Sequence, residues 1–492
     1  MDVSKLFEEI ELMIRSGKSS EAHKLLNAIG AASGDLKRGE KLRYANLARR
    51  IGSGALALKI LNPILRPRTH YAEPPTVPEE IEYAACLRSE GAPLEALAIL
   101  KDIDAEKFPE AHLQRATCMI GQWKYLEAVP HLKSYVASFK STTYAQMVGK
   151  INLLAAYIYE GFWKEANLLL SEMQRDVDPV EHGLLRLNLL ELAAQVAIAE
   201  GDSDAALKYL QEGAEHMKVS SHSVYEMLIE KWSAIVASMQ SGTIAPELAT
   251  VRSKAVTMRH WETVRDCDFY MAKQNGDVNS LIHLYFGTPF SGFRKKIIEA
   301  LGSIDQIPES YAWTTHRGPA SRIFDLRSAC VIDGAADLGV GKVLHRFLIQ
   351  MSCDFYRPKR ILSIYSNVFP DQYFTLGSMN RVHQLIRRFR EWTDAHRIPL
   401  RVEKDHDGFR LGFSGPFAIA LPRDVLPLGE RELTLGKLRA TLSVNSFTTR
   451  EAMQVLGMSQ PSVHRLLAWA VDAGQAVHEG NTYHSCYRLT GS

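Results

Sequence analysis

The chain offers little to a disulfide framework or a metal site. Its six cysteines (Cys86, Cys118, Cys267, Cys330, Cys353 and Cys486) stand singly among 492 residues, with no Cys-x-x-Cys pair. That excludes the usual zinc spacings and leaves most cysteines to be read as small core residues in a reducing compartment. No stretch approaches the roughly 18 apolar residues needed to cross a bilayer, so no membrane partner is expected. The N-terminus, MDVSKLFEEIELMIRSG, reads as an acidic amphipathic helix and not as a signal peptide, which needs a basic start and an apolar run. A cytoplasmic protein is expected. Catalytic signatures are missing too: there is neither a Gly-x-Ser-x-Gly elbow nor a His-Glu-x-x-His pair.

Two further candidates for chemistry fail on inspection. Gly334 to Lys342, GAADLGVGK, lacks the Gly-Lys-Ser/Thr of a phosphate-binding loop because Val343 follows Lys342, and it reads as a turn into a helix. Asp405, His406 and Asp407 are near enough to share a metal, but they fall in a hairpin turn where structural use is expected. The seventeen histidines are otherwise scattered. The expectation is a protein that is not an enzyme and carries no cofactor or metal.

What is present is an uneven charge. The net charge of +2 conceals 27 Lys+Arg against 33 Asp+Glu in residues 1–250, a net −6, so the rest of the chain carries +8. Residues 341–411 alone hold 13 basic and 7 acidic side chains, a net +6. Apolar content of 46% and charged content of 23% are those of an ordinary globular protein, and the length suits about three domains.

The positive stretch contains a pattern of its own. In MNRVHQLIRRFREW, Met379, Val382, Leu385, Ile386, Phe389 and Trp392 recur at helical spacing and form an apolar stripe. Opposite it lie Arg381, His383, Gln384, Arg387 and Arg388, with Asn380 at the start, all donors for phosphates and base edges. Three guanidinium groups on one face repel one another without an anionic partner, whereas outward histidines are ordinary on any amphipathic helix. Arg390, nearer the core boundary, is expected to pair with Glu391 or Asp394. PLRVEKDHDGFRL follows, alternating apolar and polar residues around Asp405-His406-Asp407-Gly408, a hairpin signal that presents Lys404 near its tip.

The N-terminal half repeats itself. GKSSEAHKLLNAI (from Gly17), GALALKILNPIL (Gly54), GAPLEALAILKDI (Gly91), GQWKYLEAVPHLKSY (Gly121), GFWKEANLLLSEM (Gly161) and GDSDAALKYLQEG (Gly201) begin at spacings of 37, 37, 30, 40 and 40 residues. Ala22, Ala57, Ala96, Ala128, Ala166 and Ala206 hold one place in every unit, where two helices would cross closely. The spacing is that of a two-helix unit stacked into an α-solenoid. These units resemble tetratricopeptide repeats. The resemblance implies a concave surface for a peptide, a partner protein or a small-molecule effector, without selecting among them.

Turn formers over residues 302–321 mark a junction, and Arg322 to Ile332 reads as one or two strands. Helices are expected from Gly341 to Met351 and from Lys359 to Val368, ahead of the basic helix and hairpin. Strands, three helices and a hairpin in that order resemble the winged-helix effector domain of OmpR/PhoB-type response regulators, over about residues 310–413. The resemblance assigns the recognition helix to RVHQLIRRFREW. No receiver domain or phosphoacceptor pattern accompanies it, so any switch falls to the repeats.

A second unit closes the sequence. After a helix over Leu433 to Val444, Thr448 or Thr449 caps REAMQVLG with Glu451 in its first turn, Gly457-Met458-Ser459 turns, and Pro461 opens the next helix. Val463, Leu466, Leu467, Ala470 and Val471 should face inward, leaving Gln460, Ser462, His464 and Arg465 outward. Glu479-Gly480-Asn481 should turn a hairpin ending in a strand from Tyr483 to Leu489. Thr448, Arg450, Glu451, Ala452, Leu456, Gly457, Ser459, Ser462, Val463, Arg465 and Leu467 together resemble a bacterial winged helix-turn-helix.

The expected fold is mainly α: a helical repeat domain over residues 1–300, an OmpR/PhoB-like winged helix over 301–421 and a second winged helix-turn-helix over 430–492. The expected function is transcriptional regulation on double-stranded DNA, with the repeats sensing an effector or assembling proteins, and a homodimer is expected. The rival is a non-enzymatic scaffold subunit of the PCI type, helical repeats plus a winged helix that binds protein. Two such units and basic outward faces argue against it.

Overall fold

The computed structural model describes residues 3–15, 18–30, 36–66, 73–178, 182–217, 223–369, 371–373, 377–406, 408–424, 426–427, 429–442, 446–479 and 486–490. The chain is mainly helical, with 23 α-helices and a few small sheets among the described residues, and it divides into two compact units. One holds Met1–Gln306 with Gln372–Gly377; the other holds Ile307–Asp371 with Ser378–Ser492. Among the described residues, no helix is long and apolar enough to cross a membrane.

The described elements of the first unit are all helices. It runs α1 (Val3–Arg15), α2 (Ser19–Gly30), α3 (Arg38–Arg50), α4 (Gly54–Leu65), α5 (Val77–Ser89), α6 (Pro93–Leu100), α7 (Glu110–Ile120) and α8 (Tyr125–Ala137). It continues through α9 (Tyr144–Glu160), α10 (Trp163–Asp176), α11 (Gly183–Ala199), α12 (Ser203–Met217) and α13 (Ser223–Ser241). Four more complete it: α14 (Pro246–Met258), α15 (Trp261–Asn275), α16 (Val278–Phe286) and α17 (Ser291–Leu301). Neighbours in sequence pack together, and alternate helices pack across them, α3 on α5, α5 on α7, α9 on α11, α11 on α13 and α13 on α15.

The six alanines that share a place in the repeats are all fully buried, because only a methyl group fits where two helices approach this closely. The turns vary more than the glycine spacing suggests. Gly91, Gly161 and Gly201 are left-handed, but Gly121 has φ −63° and the left-handed residue there is Trp123, φ 59°. At the second unit the left-handed glycine is Gly52, while Gly54 is the first residue of α4. A Cβ on Gly54 would lie 2.5 Å from Ser89 Oγ and from Glu90 Oε1, so a side chain there would require those two side chains at the end of α5 to shift. Gly17 lies outside the described residues.

Charge also enters this core. Glu79 and Glu82 of α5 are buried, and Arg38 and Arg49 of α3 each grip one of them with two nitrogens. Arg38 and two bonds from Thr76 hold the Glu79 carboxyl down at about 2. Burying a carboxylate is tolerated only with such partners. The described part of Gln372–Gly377 includes Tyr373, buried, whose backbone N–H donates to Glu95 Oε1 at 3.1 Å.

The second unit combines helices with sheets. β1 (Ser310–Trp313), β2 (Arg322–Asp325) and β3 (Cys330–Val331) precede α18 (Val343–Ser352). β4 (Lys359–Arg360), α19 (Ile361–Val368), α20 (Ser378–Ala395), β5 (Leu400–Asp405), β6 (Gly408–Phe413) and β7 (Phe417–Pro422) follow. One sheet has the order β1-β7-β2-β3, with β7 antiparallel to β1 and parallel to β2, Phe324 standing opposite Ile419. The other has the order β4-β6-β5, with Lys359 opposite Phe409 and Lys404 opposite Phe409 on the other side. β1 falls in the segment expected to be a junction of turns, and β7 carries no local signal of its pairing.

The last segment of this unit runs α21 (Glu430–Thr441), α22 (Thr449–Leu456), α23 (Gln460–Asp472), β8 (Ala476–Glu479) and β9 (Cys486–Leu489). Thr448 is the N-cap of α22: its Oγ1 accepts from Glu451 N at 3.3 Å, while the Glu451 carboxylate accepts from Thr448 N at 2.7 Å. Gly457 ends α22 in the left-handed region, φ 63°. Leu435, Leu438, Phe447, Ala452, Val463, Leu466, Leu467, Ala470 and Ala476 form one core, and Val471 packs at its margin. The expected Glu479-Gly480-Asn481 turn and the beginning of its second strand lie outside the described residues, apart from Glu479.

Candidate nucleic-acid interface

The chemistry of α20 follows from its two faces. Val382, Leu385, Ile386, Phe389 and Thr393 are buried, and this stripe packs on α18 and α19. Phe389 meets Phe347 edge-on, ring centres 5.3 Å apart. Trp392 is half-buried and reaches Phe324 at 6.1 Å. Met379, assigned to the stripe from its spacing, is instead 41% exposed, because in the first turn the inward place is taken by Ser378, which is buried. The far end is tied to the hairpin: Arg390 donates through its terminal nitrogen to Val402 O at 2.6 Å. The expected pairing of Arg390 with Glu391 or Asp394 gives way to that carbonyl, which lies on the strand beside it.

Asn380, Arg381, His383, Gln384, Arg387 and Arg388 are all exposed on the other face. They are not equally available. Arg381 donates to Asp371 Oδ2 at 2.7 Å and to Tyr365 Oη at 3.0 Å, and its guanidinium lies 4.4 Å from the Phe369 ring centre. Those contacts position it within the unit. Arg387 faces Glu391 at 3.6 Å, a solvent-exposed i,i+4 pair worth only about 0.3–0.5 kcal/mol. Arg388 has no ion pair among the described residues. His383 lies edge-on to Phe409, ring centres 6.2 Å apart, which joins the helix face to the hairpin.

The hairpin adds to that face. Along β5 Leu400 and Val402 are buried and Arg401, Glu403 and Lys404 exposed; Lys404, opposite Phe409, lies on the Leu400 and Val402 side, and Arg401 and Glu403 on the other. Arg401 is a further exposed basic group, on the opposite side of the hairpin from Lys404. Asp405 pairs with Arg410 across the hairpin end and His406 sits in the left-handed region at φ 47°, so the turn uses these residues structurally. Asp407 lies outside the described residues. Among the described residues no group of three or more His, Cys, Asp or Glu is placed to hold a metal ion.

Behind the interface, GAADLGVGK leads into α18 at Val343. Gly341 has φ 75°, and a Cβ there would stand 2.9 Å from Glu430 O, so the N-terminal turn of α21 leaves no room for a side chain. Gly341 N–H donates to His345 Nδ1 at 3.0 Å, and His345 Nε2 lies 2.7 Å from Leu326 O. Accepting at Nδ1 and donating at Nε2 defines a neutral imidazole. Burial keeps it so, pushing its pKa below the ordinary value against the pull of Asp337 and Asp325.

On α23, Gln460, His464 and Arg465 are exposed and Ser462 is half-buried. Gln460 Nε2 and His464 Nε2 stand 3.4 Å apart, and Arg465 reaches Ser462 Oγ at 3.4 Å and Pro461 O at 3.3 Å. The second outward set therefore bonds within its own helix, with its donors pointing away from the core of Val463, Leu466 and Leu467. It carries one basic residue, Arg465, where the outward set of α20 carries three, Arg381, Arg387 and Arg388.

No protein-family model matches the chain, and no curated protein matches it.

Proposed function

We propose that the protein is a transcriptional regulator that binds duplex DNA through its second unit. In this reading α20 with the β5–β6 hairpin is the recognition helix and wing of an OmpR/PhoB-like domain. α22, α23 and the β8–β9 strands form a second winged helix-turn-helix, and the helical unit is a tetratricopeptide-like solenoid. The observation that carries the reading is the division of α20 into a fully buried stripe and an exposed row containing Gln384, Arg387 and Arg388, with Lys404 of β5 standing opposite Phe409, the ring that His383 meets. A helix fits the major groove of B-DNA, and a hairpin beside it reaches the flanking backbone.

Arginine and lysine contacts to phosphate would supply most of the affinity, and a few side chains at base edges would supply the preference. The net +6 of residues 341–411 favours that partner, and the net −6 of residues 1–250 disfavours a direct role for the helical unit on a phosphate backbone. Two half-sites read by a homodimer would multiply the specificity.

The test is fluorescence anisotropy with genomic duplex fragments across a salt series. Six to ten phosphate contacts lower affinity by about three to five powers of ten between roughly 50 and 200 mM salt. Affinity that stays flat over that range, or no binding to any fragment, refutes the reading and returns the chain to the scaffold alternative.

A further inference from the structure

Lys150, Lys231 and Lys359 are the buried lysines among the described residues, and the first two are paired with carboxylates. Lys150 Nζ lies 2.6 Å from Glu172 Oε1 and 3.1 Å from Asp176 Oδ2, and Lys231 Nζ lies 2.9 Å from Asp266 Oδ2. Lys359, only 8% exposed, has no ion pair among the described residues. Its ammonium donates instead to a sulfur, Cys353 Sγ, at 3.4 Å. Burying an ammonium is tolerated when an anion meets it, and a neutral thiol is a weak acceptor.

The local chain brings the two together. Cys353 is the C-cap of α18, and its Sγ lies 3.3 Å from Gln350 O in the last turn. Lys359 begins β4, opposite Phe409 of β6, and this pairing holds the strand against the hairpin. Asp354, next to Cys353, is engaged in the intervening turn, where its Oδ1 accepts from Tyr356 N at 2.9 Å and from Arg357 N at 3.2 Å.

Cys353 is half-buried, so water reaches the residue whose sulfur the buried ammonium holds. Cys330 and Cys486 are half-buried as well, but their sulfurs meet Ser328 Oγ at 3.2 Å and Glu479 O at 3.5 Å and no cation. Cys86, Cys118 and Cys267 are buried. The thiolate is the nucleophilic form of cysteine, and a basic side chain at the sulfur of an accessible cysteine is the setting of those that react with oxidants. An ammonium has three N–H donors, and the two that Sγ does not take have no acceptor among the described residues. An oxygen added to the sulfur comes within their reach.

We propose that Cys353 is an oxidation site for hydroperoxides and that the Lys359 ammonium supports the step. The Cys353 thiolate attacks the distal oxygen of the hydroperoxide: the S–O bond forms and the O–O bond breaks. Sulfur is oxidised by two electrons to a sulfenic acid, and the hydroperoxide is reduced to the alcohol, or to water when it is hydrogen peroxide. The departing oxygen takes a proton from the ammonium, which regains one from solvent in place of the proton the thiol gave up. The proposal does not rest on DNA binding.

The test treats the full chain with hydrogen peroxide in the presence of dimedone, which traps sulfenic acids, and follows each cysteine by peptide mass spectrometry. The expected result is labelling of Cys353 roughly tenfold or more faster than of Cys330 and Cys486, with that lead lost in Lys359→Met, as a charge-assisted bond made during the step requires. A purely structural lysine predicts the opposite sign, because loosening the turn exposes the sulfur and speeds its labelling. Where the melting transition shows that Lys359→Met does not fold, Lys359→Gln, which keeps a donor without the charge, takes its place. Labelling of Cys353 no faster than of Cys330 and Cys486 in the parent chain, or an undiminished lead in a folded variant without the charge, overturns the proposal.

Discussion

Arg388 and Phe389 are adjacent in sequence and point in opposite directions, so replacing each with alanine should produce opposite phenotypes. Phe389 is fully buried and packs on Phe347 and Trp392. Removing its ring costs the transfer free energy of the lost carbons plus a cavity, about 3–5 kcal/mol for Phe→Ala. At roughly 2–4 °C per kcal/mol for a unit of this size, the melting transition should fall by about 6–20 °C. Arg388 is exposed with no ion pair among the described residues, so Arg388→Ala should change stability by no more than about 0.5 kcal/mol. If it reads a base, DNA binding should weaken by about 1–3 kcal/mol; if it touches phosphate, the salt slope should shrink by about one. Arg387→Ala should behave alike, since its exposed pair with Glu391 at 3.6 Å contributes little. Calorimetry of both variants beside anisotropy on one duplex makes the comparison. An Arg388→Ala protein that melts as early as Phe389→Ala, or that binds DNA unchanged at every salt concentration, refutes the face assignment.

Two further outcomes follow from buried groups. Asp266→Ala leaves the Lys231 ammonium buried without its carboxylate, which should cost about 3–5 kcal/mol, whereas pairing it with Lys231→Met should restore most of the loss; urea denaturation that finds the double variant as unstable as the single one contradicts this. His112, His131 and His345 all have folded pKa values lowered, by burial first, so the unfolded state takes up protons first as the solution is acidified. Their contribution is therefore complete above about pH 6.5 and is lost as pH falls through the lower folded values. The urea midpoint should drop between about pH 7.5 and 5.5, and the drop should shrink in His345→Gln; an equal drop in that variant shows that His345 does not contribute.

The candidate interface was legible because its signals are local. The spacing of Val382, Leu385, Ile386 and Phe389 marks one helical face, and those residues are buried. The outward residues of α20 and α23 follow from the same periodicity, except that Ser378 and not Met379 takes the inward place in the first turn. What the helix could not disclose is which outward arginine is already engaged. Arg381 is held by Asp371 and Tyr365, the latter on another helix, and Arg390 by a strand carbonyl. Availability depends on neighbours that periodicity does not specify.

The sequence by itself determined the helical character, the separation of charge between the halves of the chain, an N-cap at Thr448 or Thr449 with Glu451 in the first turn, and the hairpin of β5 and β6. Each rests on residues within a few positions of one another, where backbone geometry and side-chain spacing decide the outcome. Only the tertiary structure decided that β7 lies parallel to β2, with Ile419 beside Phe324, since strand pairing joins positions 95 residues apart and leaves no periodic trace. It alone brought Lys231, Asp266 and Lys296 together inside the helical unit. On any single helix such a residue looks like part of a solvated face. It becomes a buried charge only when another helix, 30 or more residues away, supplies the counter-charge that makes leaving water tolerable.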